Sequence, residues 1–261
     1  MSTRDFTANV ISASKVVPDG NFADSKASGV WDINEALDLI KGGNWPNAAN
    51  VNPSAFVDNL FQTHLYTGTG SAQTITNGID LSGSGGLVWI KDRDVAYWHQ
   101  LADTARGANK MLSSNSQNAE ASRTQHLTAF NNNGFTIGTD NDVNYSGSDL
   151  VSWTFRKQPK FFDIQTWSGD GESTRTLSHN IGGNVGMVLI KGLNETEDWQ
   201  VYHRSASTGK ILRLNNQGAE ANLANGVDHI SGSTITLSKA GNPSYSANDS
   251  GVNYIAYIFA H

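Results

Sequence analysis

The chain repeats itself at a spacing of 100 residues. Gly86-Leu-Val-Trp-Ile-Lys91 returns as Gly186-Met-Val-Leu-Ile-Lys191, and the stretches 86–121 and 186–221 agree at about a third of their positions without a gap. This period is far longer than the roughly 20–50 residues of solenoid repeats. It indicates a tandem duplication of a whole domain, and a chain of 261 residues has room for two such units behind an N-terminal segment.

The two units are predicted to occupy residues 62–158 and 161–261. Lys157-Gln-Pro-Lys160 forms the joint between them, because a proline interrupts strand pairing and suits a short connection. Near the end of the units, Asn144-Tyr-Ser146 is aligned with Ser244-Tyr-Ser246.

Each unit is expected to consist of short strands. The stretches Leu150–Phe155 and Tyr254–Phe259 are predicted to be the last strands of the two units. Val151, Trp153 and Phe155 share one face of the first strand, since side chains of a strand repeat with a period of two. Ile255, Tyr257 and Phe259 share one face of the second. The 26 glycines, with many Asn, Ser and Thr residues, supply polar turns between such strands. The fold class predicted is therefore all-β, with two tandem β-sandwich or jelly-roll-like domains.

Residues 1–60 have a different pattern and are predicted to be an N-terminal arm with a short helix. Asp32 and Glu35 form a capping box, and apolar residues then recur at helical spacing until Gly42-Gly43 ends the helix. A helix this short is marginal in isolation, so its apolar face must dock on something. The assembly contacts expected from it are Trp31, Ile33, Leu37 and Ile40.

Composition and motifs argue against several function classes. The formal net charge of −6 disfavours nucleic-acid binding, and no apolar run approaches the roughly 20 residues of a membrane span. There is no cysteine, and the histidines are scattered without ligand spacing, so no metal or other cofactor is expected. With no nucleophile or nucleotide fingerprint in a suitable context, we expect no catalytic residues.

A few side chains could still contact a ligand. Asp103 and Arg106 lie three residues apart beside a glycine, where an ion pair that stabilises a turn is the favoured interpretation and ligand contact the alternative. Trp98 and Trp199 each follow a polar loop and could stack on a sugar, although core packing is the default for tryptophans in strand patterns.

Two further groups of Asp, Glu and Asn residues each have a structural and a functional interpretation. Glu120 and Asp103 are the only carboxylates that suggest a depolymerase, but Glu120 recurs as Glu220 and Asp103 is not duplicated, which favours a structural role. The segment Asp140–Asn144 could hold Ca²⁺, but it lacks the glycine and distal glutamate of an EF-hand loop. A plain turn rich in Asp and Asn is favoured there.

The repeat unit resembles a known family. Val88-Trp-Ile-Lys91, Trp98-His-Gln-Leu101, Asp103-Thr-Ala-Arg-Gly107 and Thr128–Gly138 are similar to a repeat in structural proteins of marine tailed bacteriophages, which reads VWIK, HQL, DxxRG and LTxFxxxGFxxG. The stretch Gly29–Pro46 also resembles an N-terminal segment of such proteins. The second unit departs from the pattern, since Asp103 and Arg106 are replaced there by His203 and Ala206.

The resemblance implies a non-enzymatic virion structural protein of the tail or fibre type, assembled in the host cytoplasm. Its expected partners are other virion proteins and itself, in a cyclic homo-oligomer such as a trimer. Two alternatives remain open: a capsid decoration or head-fibre protein, and a carbohydrate-binding adsorption module that contacts a host surface glycan.

Overall fold

The computed structural model describes Asn34 and residues 57–207, 210–222, 227–230, 232–238 and 246–261. The chain divides into two compact units, Met1–Phe56 and Val57–His261, and the fold below is that of the second. The four expected assembly contacts (Trp31, Ile33, Leu37 and Ile40) lie outside the described residues, as does the predicted helix around them apart from Asn34.

Strands dominate Val57–His261, as the alternating pattern predicts. A 3₁₀ turn at Val57–Asn59 precedes the strands of the first repeat: β1 (Phe61–Thr67), β2 (Gln73–Thr76), β3 (Gly86–Asp92), β4 (Gln100–Asp103), β5 (Lys110–Ser113), β6 (Ala121–Ser122), β7 (Leu127–Asn131), β8 (Gly134–Ile137) and β9 (Asp149–Arg156). A one-turn helix, α1 (Asn141–Asn144), lies between β8 and β9.

The second repeat has a matching set of strands. They are β10 (Phe162–Ser168), β11 (Thr174–Ser178), β12 (Val185–Gly192), β13 (Gln200–His203), β14 (Lys210–Arg213), β15 (Ala221–Asn222), β16 (Val227–Ile230), β17 (Thr234–Ser238) and β18 (Asn253–Ala260). The predicted joint lies between the end of β9 and the start of β10.

Sheet topology is the same in both repeats. The first repeat forms a six-stranded sheet in the order β1-β9-β3-β4-β5-β6 and a three-stranded sheet in the order β2-β8-β7. The second forms β10-β18-β12-β13-β14-β15 and β11-β17-β16, which is the same order strand for strand. All strand pairs are antiparallel, and each sheet takes its strands from one repeat only.

The alignment expected near Asn144 was wrong. Asn144 accepts a backbone hydrogen bond from Gly70 at 2.9 Å, and Asn248 accepts the equivalent bond from Gly171 at 3.0 Å. The counterpart of Asn144 is therefore Asn248 and not Ser244, and the true match is the pattern Asn-x-Ser-Gly. An insertion of four residues between the repeats lies upstream of it, where the gap-free spacing of 100 no longer holds.

Close backbone approach explains why glycines recur beside this pattern. A Cβ atom on Gly68 would lie 2.0 Å from the Tyr145 carbonyl oxygen, and one on Gly169 would lie 2.1 Å from that of Asp249. No side chain fits at either position, so the loop after the first strand of each repeat is held against the loop before its last strand.

Each repeat has its own core between its large and small sheets. Equivalent positions fill the two cores: Val88, Ile90, Phe135, Ile137 and Leu150 in the first, and Val188, Ile190, Ile235, Leu237 and Tyr254 in the second. The large sheets are also apolar on their other face, because alternate residues of β3 and β12 point that way.

A third core joins the repeats. The outer faces of the two large sheets pack against each other through buried side chains of both repeats: Leu87, Leu101, Leu112, Phe162, Leu189, Trp199, Ile255 and Tyr257. Phe155 of the first repeat lies 5.6 Å from Phe162 and 5.5 Å from Phe259, measured between ring centroids. The unit is thus a stack of four sheets, small, large, large and small, which makes the two repeats one compact body. Among the described residues, no helix has the length and apolarity needed to cross a membrane.

The third core gives a stability prediction, with the exposed Trp98 of the first repeat as the control. Replacing the fully buried Trp199 by Ala should lower the free energy of unfolding by about 3–5 kcal/mol, because it leaves a cavity between the sheets. Replacing the exposed Trp98 by Ala should cost less than about 1 kcal/mol. Denaturant unfolding followed by circular dichroism measures both, and equal losses would contradict a shared core.

Candidate functional site

The polar residues singled out in the sequence meet at the contact between the repeats. Asp103 ends β4 fully buried, and its carboxylate accepts hydrogen bonds from the backbone amides of Ala105 at 3.0 Å and Arg106 at 2.9 Å. The Arg106 Nε atom lies 2.5 Å from Asp103 Oδ2. The pair therefore stabilises the turn after β4, which is the interpretation that the sequence favoured.

The same pair also reaches across to the second repeat. The Tyr257 hydroxyl donates to Asp103 Oδ2 at 2.7 Å, and Arg106 Nη2 donates to the Tyr257 hydroxyl at 3.2 Å and to the Leu101 carbonyl at 3.0 Å. A buried charge is tolerated only when its hydrogen bonds are satisfied, and these bonds satisfy it. We call Asp103, Arg106 and Tyr257 the inter-repeat triad.

The charges of the inter-repeat triad are fixed by its surroundings. Burial alone would lower the pKa of Arg106, but the Tyr257 phenol and the Asp103 carboxylate raise it above the ordinary value. Burial raises the pKa of Tyr257 well above 10. The guanidinium is therefore charged and the phenol neutral near pH 7.

Glu120 lies at the edge of the inter-repeat triad. Its Oε1 atom is 3.1 Å from Lys110 Nζ and its Oε2 atom is 3.5 Å from Arg106 Nη1, while its backbone amide donates to the Leu193 carbonyl at 2.7 Å. Its counterpart Glu220 is exposed and accepts a hydrogen bond from the Ser207 amide at 3.2 Å. Glu120 thus takes part in the contact between the repeats through its backbone amide. The duplicated glutamates Glu120 and Glu220 have different partners.

A cavity of about 360 Å³ opens beside Glu120. Arg106 and Glu120 line it from the first repeat, and Trp167, Ser168 and Asn253 line it from the second. The carboxylate of Asp103 is fully buried and does not line this cavity, so the two carboxylates do not flank a common cleft.

Trp199 is placed in the third core. Its side chain has no exposed surface, its ring stacks on Tyr257 with centroids 6.2 Å apart, and its Nε1 donates to the Ser113 carbonyl at 2.9 Å. Beside it, Gln117 Nε2 donates to Asp198 Oδ1 at 2.7 Å. Trp199 therefore presents no face to a ligand and helps to hold the repeats together.

Trp98 is placed at the surface. It is 43% exposed, as is Tyr145 at 42%, and the ring of Tyr97 meets that of Tyr145 edge to face at 6.0 Å. These aromatic side chains belong to the loops before β4 and before β9. Of the ligand contacts proposed from the sequence, Trp98 alone has an open aromatic face.

The oxygen-rich segment Asp140–Asn144 is a capped turn. The Asp140 side chain caps α1 by accepting from the Asp142 amide at 3.0 Å, and Arg123 Nη1 lies 3.2 Å from Asp140 Oδ2 and 2.9 Å from Asp142 Oδ2. Asn144 Nδ2 donates to two backbone carbonyls. Within the described part of the chain, no group of three or more His, Asp or Glu side chains is placed to hold a metal ion.

A family comparison covers both repeats at once. Residues 53–261 match the model of a family described as a domain of unknown function, DUF7483. The chain belongs to this family. No curated protein and no solved structure matches the chain at a significant level. The range matched by the DUF7483 model contains the whole compact unit Val57–His261, so the family domain is the pair of repeats.

Several residues that both halves of the DUF7483 domain share have roles that sequence reasoning missed. Lys191 Nζ donates to the carbonyls of Gly192 at 2.8 Å and Glu195 at 3.1 Å, and Lys91 makes the same kind of bond to Val95 at 3.0 Å. Each lysine therefore closes the loop that follows its own strand. Its presence in both copies of the six-residue motif was the available signal.

Shared amides act in the same way. Gln100 Nε2 donates to Asp142 at 3.1 Å, and Gln200 Nε2 donates to the Ser246 carbonyl at 2.8 Å, so each ties its fourth strand to the loop before the last strand. Residues common to both repeats thus hold each repeat together. The inter-repeat triad and Trp199, which have no identical counterparts, hold the repeats to each other.

His126 is fully buried in the DUF7483 domain, and neither ring nitrogen has a hydrogen-bond partner among the described residues. Burial lowers its pKa to about 4, and the nearby Arg123 and Arg106 act in the same direction, while Asp140 opposes them. Its imidazole is therefore neutral in the folded protein near pH 7.

Removing members of the inter-repeat triad should destabilise the fold unequally. Arg106→Met leaves the Asp103 carboxylate buried without its cation and should cost about 3–5 kcal/mol of unfolding free energy. Tyr257→Phe removes one donor and should cost about 1–3 kcal/mol. Arg123→Met breaks a half-exposed ion pair and should cost less than about 1 kcal/mol. Urea unfolding ranks the three variants, and a larger loss from Arg123→Met would contradict the assignment.

His126 should make stability depend on pH. In the unfolded chain this histidine has a pKa near 6.5, whereas in the folded protein its pKa is about 4. Between these two values the unfolded chain binds a proton that the folded protein does not bind. The free energy of unfolding therefore decreases as the pH falls from 6.5 to 4. The loss amounts to about 3 kcal/mol when complete. The unfolding free energy of the wild type minus that of His126→Leu should fall by this amount as the pH is lowered over this range.

The comparison with His126→Leu is needed because another group acts in the opposite direction. Burial raises the pKa of Glu197 to about 7, so its contribution to stability is present at low pH and is lost as the pH rises toward 7. Glu197 is unchanged in His126→Leu, and the difference between the two proteins isolates His126. A difference that does not vary with pH would contradict a neutral buried histidine.

Proposed function

We propose that this chain is a non-enzymatic structural protein of a bacteriophage virion, of the tail or fibre type. The observation that carries the proposal is the use of Asp103, Arg106 and Glu120. These residues are the most suggestive of chemistry in the sequence, and they join the two repeats into one body: Asp103 and Arg106 through their side chains and Glu120 through its backbone amide. The resemblance of the repeat to structural proteins of marine tailed phages supports the assignment to a phage virion.

In this proposal the parts of the chain have separate tasks. Residues 1–60 anchor the protein to the virion or to a neighbouring subunit through the apolar stripe of Ile33, Leu37 and Ile40, with Trp31 beside it. The two β-sandwich repeats project from the particle as a rigid unit. The partners are other virion proteins and further copies of the chain, with no nucleic acid, membrane or cofactor involved. A capsid decoration or head-fibre protein would use the same division of tasks.

A particle-incorporation experiment tests this proposal. The full chain should be found in purified particles by mass spectrometry, at a fixed number of copies per particle. A chain lacking residues 1–56 should be lost from the particles while it keeps the melting temperature of the full chain, because Val57–His261 is a compact unit of its own. Absence of the full chain from particles would overturn the proposal, and unchanged incorporation of the shortened chain would place the anchor elsewhere.

A second candidate function is favoured by one observation, the open aromatic face of Trp98, which follows Tyr97, whose ring meets that of Tyr145. Aromatic faces stack on the C–H surfaces of sugars, so this loop cluster suits a carbohydrate-binding adsorption module for a host surface glycan. Calorimetry with host surface polysaccharide should then give binding that Trp98→Ala weakens about tenfold or more. Leu65→Ala removes an apolar side chain of the same repeat that is 60% exposed, against 43% for Trp98, and is the control.

A further inference from the structure

The first strand of the first repeat, β1, lies at the edge of its large sheet. It pairs with β9 on one side, and no described strand pairs with it on the other. Just before β1, the Leu60 carbonyl accepts a hydrogen bond from the Arg156 amide at 2.8 Å. Just after it, the Gly68 amide donates to the Ser148 carbonyl at 2.8 Å. Bonded positions alternate along an antiparallel pair, so the even-numbered residues of β1 bond to β9.

The odd-numbered residues of β1 therefore direct their backbone N–H and C=O groups at the open edge. These residues are Phe61, Thr63, Leu65 and Thr67. Among the described residues, the partner of these groups is Gln73 alone, whose Nε2 atom donates to the Thr67 carbonyl at 3.2 Å. Thr63 and Leu65 thus each offer a free donor and a free acceptor, and both residues are exposed, Leu65 by 60%.

The sequence of β1 has none of the usual protections of an edge strand. Natural proteins protect such edges with charged side chains, prolines or bulges, because an open edge is a template for another strand. The seven residues of β1 include no Asp, Glu, Lys, Arg or Pro, and their register with β9 has no shift. An edge of this kind is expected to be paired in the assembled protein.

The equivalent edge in the second repeat is occupied at both ends. The amide and the carbonyl of Phe162, at the start of β10, both bond to Gln158, at 3.1 and 2.9 Å. At the other end of β10, Arg175 Nη1 donates to the Ser168 carbonyl. The chain therefore covers part of the edge of β10 with its own residues and leaves the middle of the β1 edge free.

The open edge of β1 is complementary to itself. A two-fold axis through His64 places Thr63 of one copy opposite Leu65 of the other, and both residues direct their backbone groups outward. Each such pair exchanges two N–H···O=C bonds, so the free groups of Thr63 and Leu65 are all satisfied at once. On the exposed face, the two copies of Leu65 become diagonal neighbours, within reach of each other.

We propose that β1 of one copy of the chain pairs antiparallel with β1 of a second copy, about a two-fold axis through His64. The occupant is a second copy because outward residues meet outward residues in this register, and the strand has no charge that would meet its like. The inference rests on the proposed structural function, for which it supplies a contact between copies. Such an isologous contact closes as a dimer and joins the two first large sheets into one.

A charge placed on the edge tests the contact in the full chain. Sedimentation over a range of concentrations should show that the wild type dimerises. Leu65→Lys should weaken the dimer about tenfold or more, because it places two like charges at the pairing edge. Trp98→Lys puts the same charge at another exposed apolar side chain, in the loop before β4, and is the control that should dimerise like the wild type. Circular dichroism checks that both variants keep the wild-type fold.

Cross-linking tests the register, because the chain has no cysteine of its own. In the proposed dimer His64 lies opposite its own copy in a non-bonded pair, with Cα atoms about 4.5 Å apart, which a disulfide can span. The two copies of Thr63 are diagonal, about 7–8 Å apart, which is too far. With oxidised glutathione, His64→Cys should therefore form disulfide-linked dimers about tenfold faster than Thr63→Cys. Random collision would favour Thr63→Cys, since Thr63 is exposed and His64 is half-buried.

Three results would overturn the inference: a wild type that is monomeric at every concentration, a dimer that Leu65→Lys does not weaken, or faster cross-linking at position 63 than at position 64. A chain that is incorporated into particles although β1 stays unpaired would reject this contact and leave the proposed structural function intact. A β1 dimer that is absent from particles would support the contact and reject that function.

Discussion

The packing of the two large sheets against each other is the constraint on which the rest of this structure depends. Each large sheet is apolar on both faces, and its small sheet covers only one of them. The other face must be covered by the neighbouring repeat, which buries Trp199 and Tyr257 completely. A single repeat would leave this apolar surface in water, so the duplicated pair is the folding unit, and it is also the unit that the family model spans.

The inter-repeat triad gives this apolar contact a defined geometry. Apolar sheet faces can slide on each other at little cost, because hydrophobic contact is not directional. The bonds of Tyr257 to Asp103 and Arg106 are directional and buried, and they are satisfied in one arrangement only. The second repeat has His203 and Ala206 at the positions of Asp103 and Arg106. A second triad therefore cannot form from the turn of the second repeat, and the contact between the repeats is asymmetric.

Local signals in the sequence predicted local structure well. The alternation in Leu150–Phe155 predicted β9, and the spacing of Asp103 and Arg106 predicted an ion pair at a turn. The sequence did not decide whether Trp199 is buried, because a strand pattern shows that a face is apolar without showing what covers it. The role of Lys191 was missed because its partners are backbone carbonyls, which every residue has.

The position of β18 in its sheet has a consequence for synthesis on the ribosome. This strand lies between β10 and β12 inside the second large sheet, next to the edge strand β10, although it is made last among the strands described. Until residues 253–260 emerge, β10 and β12 have no common partner and the outer face of the first repeat has no complete cover. A chain truncated before this strand exposes unpaired strand edges, the kind of surface that aggregates, so we expect it to aggregate and not to fold.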